Sequence, residues 1–142
     1  MIRALIDSNV LVSGIVRRDR RAAPVQILEA WRAGEFELAI SEVILEEVSR
    51  TLRKPYFKAR LSDDQIERAL LLLRRRALTV SLKVEVLGIA THPEDDLILA
   101  SALSAEADWL VTGDAALQTL AEHGGVQIIS PRDFVNILQS QP

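Results

Sequence analysis

At 142 residues, 49% of them hydrophobic and 26% charged, the chain has the length and balance of one soluble globular domain with a full core. It has no cysteine, which excludes disulfides, thiol nucleophiles and thiolate-bound zinc and suits a reducing, cytoplasmic setting. A net charge of −3 argues against binding polyanions by global attraction, and no leader pattern or membrane-length apolar run is expected in it.

Residues 2–6, IRALI, read as the first and central strand of a parallel sheet. The strand ends in Asp7-Ser8-Asn9, and the apolar stretch 10–16 then predicts a short helix. A basic loop follows with Arg17, Arg18, Arg20 and Arg21. Apart from Lys54, Lys58 and Lys83, all of the 17 cations are arginine, the better residue for bidentate phosphate contact. The loop is therefore the first candidate for contact with a nucleic-acid backbone, and Arg74, Arg75 and Arg76 are a second. Each cluster equally suits a solvated surface.

Pro24 opens a helix whose apolar face is Val25, Ile27, Leu28 and Trp31, and Gly34 stops it. Residues 36–40 form the second strand. Ser41 caps a helix over 42–54, with Pro55 just beyond it. Ser62 and Gln65 make a capping box for a helix reaching about Arg76, and 78–86 contain a strand or extended segment.

The stretch 92–114, HPEDDLILASALSAEADWLVTGD, holds a helix apolar on nearly all faces and then a strand at Trp109–Val111. Acids stand at both ends: Glu94, Asp95 and Asp96 at the helix start, Asp114 at the strand exit. A short helix over 115–122, a Gly124-Gly125 break, a last strand Val126–Ile129 and a final helix opened by Ser130-Pro131 complete the chain. Strands alternating with helices predict a three-layer α/β/α sandwich around a parallel sheet of about five strands. One domain spans 1–142.

Ligands of open α/β sheets collect outside the carboxyl ends of the strands, so acids arriving there are compared. Asp7 ends the first strand and Asp114 follows a later one. On the 42–54 helix, at about 100° per residue, Ile44, Leu45, Val48 and Leu52 mark the buried stripe. Glu46 falls opposite that stripe, Glu42 lies toward solvent, and Glu47 sits on its border, facing along the sheet edge. At the later helix, Asp95 projects near Glu106 on a wet side, whereas Asp96 stacks under Ala100 and Leu103. That projection favours Asp96.

Each acid also has a plain structural explanation: Asp7 and Asp114 as turn or cap residues, Asp96 at a helix N-terminus, Glu47 as helix surface. Together, Asp7, Glu47, Asp96 and Asp114 would repel one another without a cation. Oxygen donors with few histidines suit Mg²⁺ or Mn²⁺ rather than zinc. Such an ion can activate water and neutralise a phosphodiester. His92 and His123 receive no role.

The segments IDSNVLVSG, SEVILEEVSRTL and EDDLILASALSAEADWLVTGD, in this order, resemble the PIN-domain family. The likeness is especially to the toxin components of type II toxin–antitoxin pairs, and it covers essentially the whole chain. It implies a parallel α/β/α sandwich and a Mg²⁺- or Mn²⁺-dependent endoribonuclease. The family's acids map onto Asp7, Glu47, Asp96 and Asp114. Thr112 and Asn9 map onto polar residues that support the metal or position substrate. The resemblance further implies an RNA substrate, a homodimer and a cognate antitoxin.

Two alternatives compete. A phosphohydrolase resembling the haloacid dehalogenases needs a second Asp two residues after the first, where this chain has Asn9. A non-catalytic RNA- or protein-binding module would retain the acids without using them.

Overall fold

The computed structural model describes residues 1–90 and 92–141. Six strands form one sheet in the order β3-β2-β1-β4-β6-β5. They are β1 (Arg3–Ile6), β2 (Glu37–Ser41), β3 (Leu78–Val80), β4 (Trp109–Val111), β5 (Glu122–His123) and β6 (Val126–Ile129). The first four pairings of the sheet are parallel, and β5 alone runs antiparallel, against β6.

The chain therefore has the expected helix-flanked α/β sandwich, with one strand more than anticipated. The extra strand arises where a helix over 115–122 was expected. That helix, α7 (Ala115–Leu120), stops at Ala121, whose φ is +65°. Gly124 and Gly125, at φ +58° and +88°, then turn the chain back as a hairpin.

Helices α1 (Ser8–Val16) and α2 (Ala23–Arg32) connect β1 to β2. Helices α3 (Glu42–Leu52), α4 (Pro55–Lys58) and α5 (Asp63–Arg76) connect β2 to β3. The four-residue α4 had no periodic signal in the sequence; Pro55 at its first turn pre-sets the backbone for it. Ser41 accepts from the Ile44 N–H at 3.3 Å, and Ser62 and Gln65 form the reciprocal box, as the sequence predicted.

Helix α6 (Pro93–Ser104) carries the chain from β3 across to β4, and α8 (Pro131–Gln139) closes it against α2. From β1 to β3 the chain steps one way across the sheet, and through α6 it steps back. Right-handed crossovers then place α6 on the opposite face from α1 and α2. The direction reverses between β1 and β4, which makes their carboxyl ends the topological switch point.

Ala4, Leu5 and Ile6 have no exposure, and the core around them is aliphatic except for Phe36, Phe134 and Trp31. Phe36 meets Phe134 edge-on, with ring centroids 5.1 Å apart. This rigid core fixes what the strand ends present.

Candidate active site

Ile6 pairs with Val111, and the ladder runs one residue further, with the Asp7 N–H donating to the Val111 carbonyl at 2.9 Å. That register sets Asp7 beside Thr112. The Thr112 hydroxyl, with no exposure, donates to Asp7 Oδ2 at 2.8 Å and accepts from the Asp114 N–H at 3.0 Å. One hydroxyl thus ties the acid ending β1 to the acid following β4.

Asp7 occupies the N-cap of α1, but its side chain makes no capping bond. Helix capping therefore does not account for it. Burial pushes its carboxyl above the ordinary range, Glu47 adds to the rise, and the Thr112 and Ser8 hydrogen bonds only partly offset it. Asp114 does cap, accepting from the Leu117 N–H through Oδ1 at 2.9 Å.

The acids meet in a cleft of about 210 Å³ lined by Asp7, Asn9, Glu47, Asp95 and Asp114, with His92, Glu94 and Ile98 completing its wall. Glu47 is where helix geometry placed it, while Glu46 is exposed and Glu42 turns to Arg74 at 3.4 Å. Asn9 is exposed at the cleft rim. Asp95 is raised by burial and then by Asp114, while His92 opposes the shift.

Asp96 is not brought to this cleft. Its Oδ2 accepts from the Gly88 N–H at 2.9 Å, and its Oδ1 from Ile89 at 3.2 Å and Ala90 at 2.7 Å. These backbone donors, that of Ala90 foremost, hold its carboxyl below the ordinary range. The sequence projection chose Asp96 because it counted Glu106 as part of the same helix. Glu106 lies past the helix end with φ +52°, so it marks no face of α6. The helix is buried nearly all round, so periodicity could not decide which acid faces the cleft.

Asp95, Glu94 and His92 line the cleft, although helix projection passed over Asp95 and no motif singled out Glu94 or His92. Among the described residues, no three acidic or histidine side chains converge closely enough to hold an ion in this arrangement. The donor set itself fits a hard divalent cation: several carboxylates line one edge of the sheet, and two of these groups, Asp7 and Asp95, are destabilised in the charged form.

The arginines of the 17–21 loop gather elsewhere. Arg17, Arg18 and Arg20 meet Arg32 and Arg68 around a groove of about 530 Å³ that shares no residue with the acidic cleft. Arg21 is exposed, and its carbonyl accepts from Arg132 at 2.6 Å. In the second cluster, Arg74 pairs with Glu42 and Arg76 sits over the Trp31 ring at 5.8 Å.

The fold is similar to the crystal structure of VapBC2 from Rickettsia felis bound to a DNA fragment from their promoter. The TM-score is 0.61 at 16% identity, covering 91% of this chain and 98% of that one. It is also similar to PAE2754 from Pyrobaculum aerophilum, with a TM-score of 0.67 at 20% identity, covering 99% of this chain and 91% of that one. No curated protein matches the sequence. The PIN domain matches residues 3–116, from the first strand through the last acid of the cleft, and the chain belongs to the PIN-domain family.

Proposed function

We propose that the chain is a divalent-metal-dependent endoribonuclease, the toxin of a toxin–antitoxin pair. The observation that carries this reading is that Asp7, Glu47, Asp95 and Asp114 all line one cleft at the switch point of the sheet. Among the described residues no cationic side chain forms an ion pair with any of these four acids. Neighbouring carboxylates without such a partner are costly, and a bound cation relieves that cost.

Mg²⁺ or Mn²⁺ would be held by Asp7, Glu47, Asp95 and Asp114, and when bound it activates water and neutralises the phosphodiester. The chain's own residues supply the rest. Thr112 fixes the Asp7 carboxylate and the Asp114 backbone in one orientation. The Asp114 Oδ1 caps α7, and Oδ2 accepts no hydrogen bond among the described residues. Asn9, exposed at the rim, would hydrogen-bond substrate. Asp96 is assigned to the 88–90 loop rather than to the metal.

The arginine groove of Arg17, Arg18, Arg20 and Arg32 serves as outlying positive surface for the RNA backbone, with Arg21 beside it. The motif resemblance to type II toxins and the fold likeness to the VapBC2 chain support a cognate antitoxin, and the resemblance supports a homodimer. A cytoplasmic site of action follows from the RNA substrate; no helix among the described residues is long and apolar enough to cross a membrane.

The test is incubation of the purified protein with single-stranded RNA in Mn²⁺, in EDTA, and with Asp95→Asn in Mn²⁺. Cleavage is expected only for the unaltered protein with the metal. Cleavage that survives EDTA, or equal cleavage by Asp95→Asn, would sink the mechanism. RNA binding without cleavage would make the chain a non-catalytic module.

A further inference from the structure

Beside the acidic cleft runs a second groove of about 450 Å³, and the two share Glu47, Glu94 and Ile98. Beyond these shared residues the groove is walled by Arg50 and Lys54 with the apolar Val43 and Leu97. Glu47 and Arg50 lie three positions apart on α3 and so share a face, with Arg50 about 4.5 Å further along the axis. Lys54 follows just past the end of the helix. The groove therefore passes from acid to base as it leaves the cleft.

The neighbouring cations are engaged elsewhere: Arg53 with Glu67, Lys58 with Asp63, and Arg74 with Glu42. Among the described residues, Arg50 and Lys54 make no ion pair. Leu97, 44% exposed, offers an apolar wall at the same place.

An unpaired cation one helical turn from a phosphodiester-cleaving cleft is spaced for the next phosphates of a strand, whose stacked rise is about 3.4 Å per nucleotide. Among the described residues no aromatic side chain lines the groove, so they offer no stacking platform that would read bases. The geometry points to this groove as the track for the RNA strand flanking the scissile phosphate, with Arg50 and Lys54 on its phosphates and Leu97 against a sugar or base. This inference rests on the ribonuclease reading.

The experiment is a salt titration of single-stranded RNA binding in EDTA, where affinity is read without cleavage. The proteins are the unaltered chain, Arg50→Gln/Lys54→Gln, each single variant, and Lys83→Gln as a charge-matched control beyond β3. Each phosphate contact on a single strand contributes about 0.7 to the slope of log affinity against log salt. The double variant is expected to lower the slope by about 1.4, a loss of about 25-fold at 0.1 M salt, and each single variant to lower it by half as much. Lys83→Gln is expected to keep the slope.

All the substituted side chains are exposed, and a thermal unfolding curve checks that each variant folds. Unchanged slope and affinity in the double variant overturn the track while leaving the nuclease reading intact. Failure of the unaltered chain to bind RNA in EDTA overturns the track alone, whereas failure to cleave RNA in Mn²⁺ overturns the nuclease reading and the track with it. Competition of RNA by polyglutamate that depends on Arg50 and Lys54 would assign the groove to an acidic protein and overturn the inference.

Discussion

Thr112→Val keeps the shape of a buried side chain and removes only its hydroxyl. Two hydrogen bonds go with it, the 2.8 Å donation to Asp7 Oδ2 and the 3.0 Å acceptance from the Asp114 N–H. A hydrogen bond to a charged group contributes about 1.5–3 kcal/mol, and leaving the half-buried Asp114 N–H without its partner adds about 1 kcal/mol. The sum, roughly 2.5–4 kcal/mol, corresponds to a Tm lower by roughly 8–12 °C in a chain of this size.

The deficit also depends on pH. The Thr112 bond is the main influence lowering the Asp7 carboxyl against its burial, so the valine variant raises that carboxyl further. The full loss is expected where Asp7 is ionised, shrinking as acidification protonates it. Thermal unfolding followed by circular dichroism across pH measures both quantities. Thr112→Ser, which keeps the hydroxyl, is expected to recover most of the stability. A valine variant within about 2 °C of the parent at neutral pH would refute the claim that this hydroxyl holds Asp7 and Asp114 together.

Asp7→Asn is expected to stabilise the metal-free fold while abolishing cleavage. The folded protein holds the Asp7 proton more tightly than the unfolded chain, so stability falls as pH rises from the ordinary carboxylate value through the raised one. The variant's advantage should appear above that window, vanish below it, and shrink when Mn²⁺ stabilises the parent; a Tm below the parent's in EDTA at neutral pH would contradict it. Asp96→Asn retains one oxygen, which can keep the Ile89 and Ala90 N–H groups and leave that of Gly88 facing an amide. Faster hydrogen exchange at Gly88 with metal affinity preserved is the expected result, and loss of metal binding equal to that of Asp95→Asn would return Asp96 to the cleft. Because its carboxyl lies below the ordinary range, Asp96 contributes stability at neutral pH that is lost as pH falls through the lowered value, and Asp96→Asn should flatten that acid limb.

By itself the sequence determined the sandwich. Period-two and continuous apolar runs, Ser41, Ser62 and Ser130 as caps, and the prolines and glycines at element ends are local signals, and each reports on its own few residues. Glu47 was legible for the same reason, since α3 has one buried stripe from which an angle can be measured. The six-stranded count was not legible, because a two-residue strand exists only by pairing with β6.

The choice between Asp95 and Asp96 belonged to the tertiary structure. Helix α6 is covered on nearly every side, so its sequence has no wet face to orient by. What decides is a non-local contact, the 88–90 backbone claiming the Asp96 carboxylate and leaving Asp95 to the cleft. The arginine loop was likewise visible as charge but not as a place. Only packing shows that Arg17, Arg18 and Arg20 join Arg32 and Arg68 away from the acids, while Arg50 and Lys54, unremarkable in sequence, border them. Charge is written residue by residue, and proximity is set by how the helices cross the sheet.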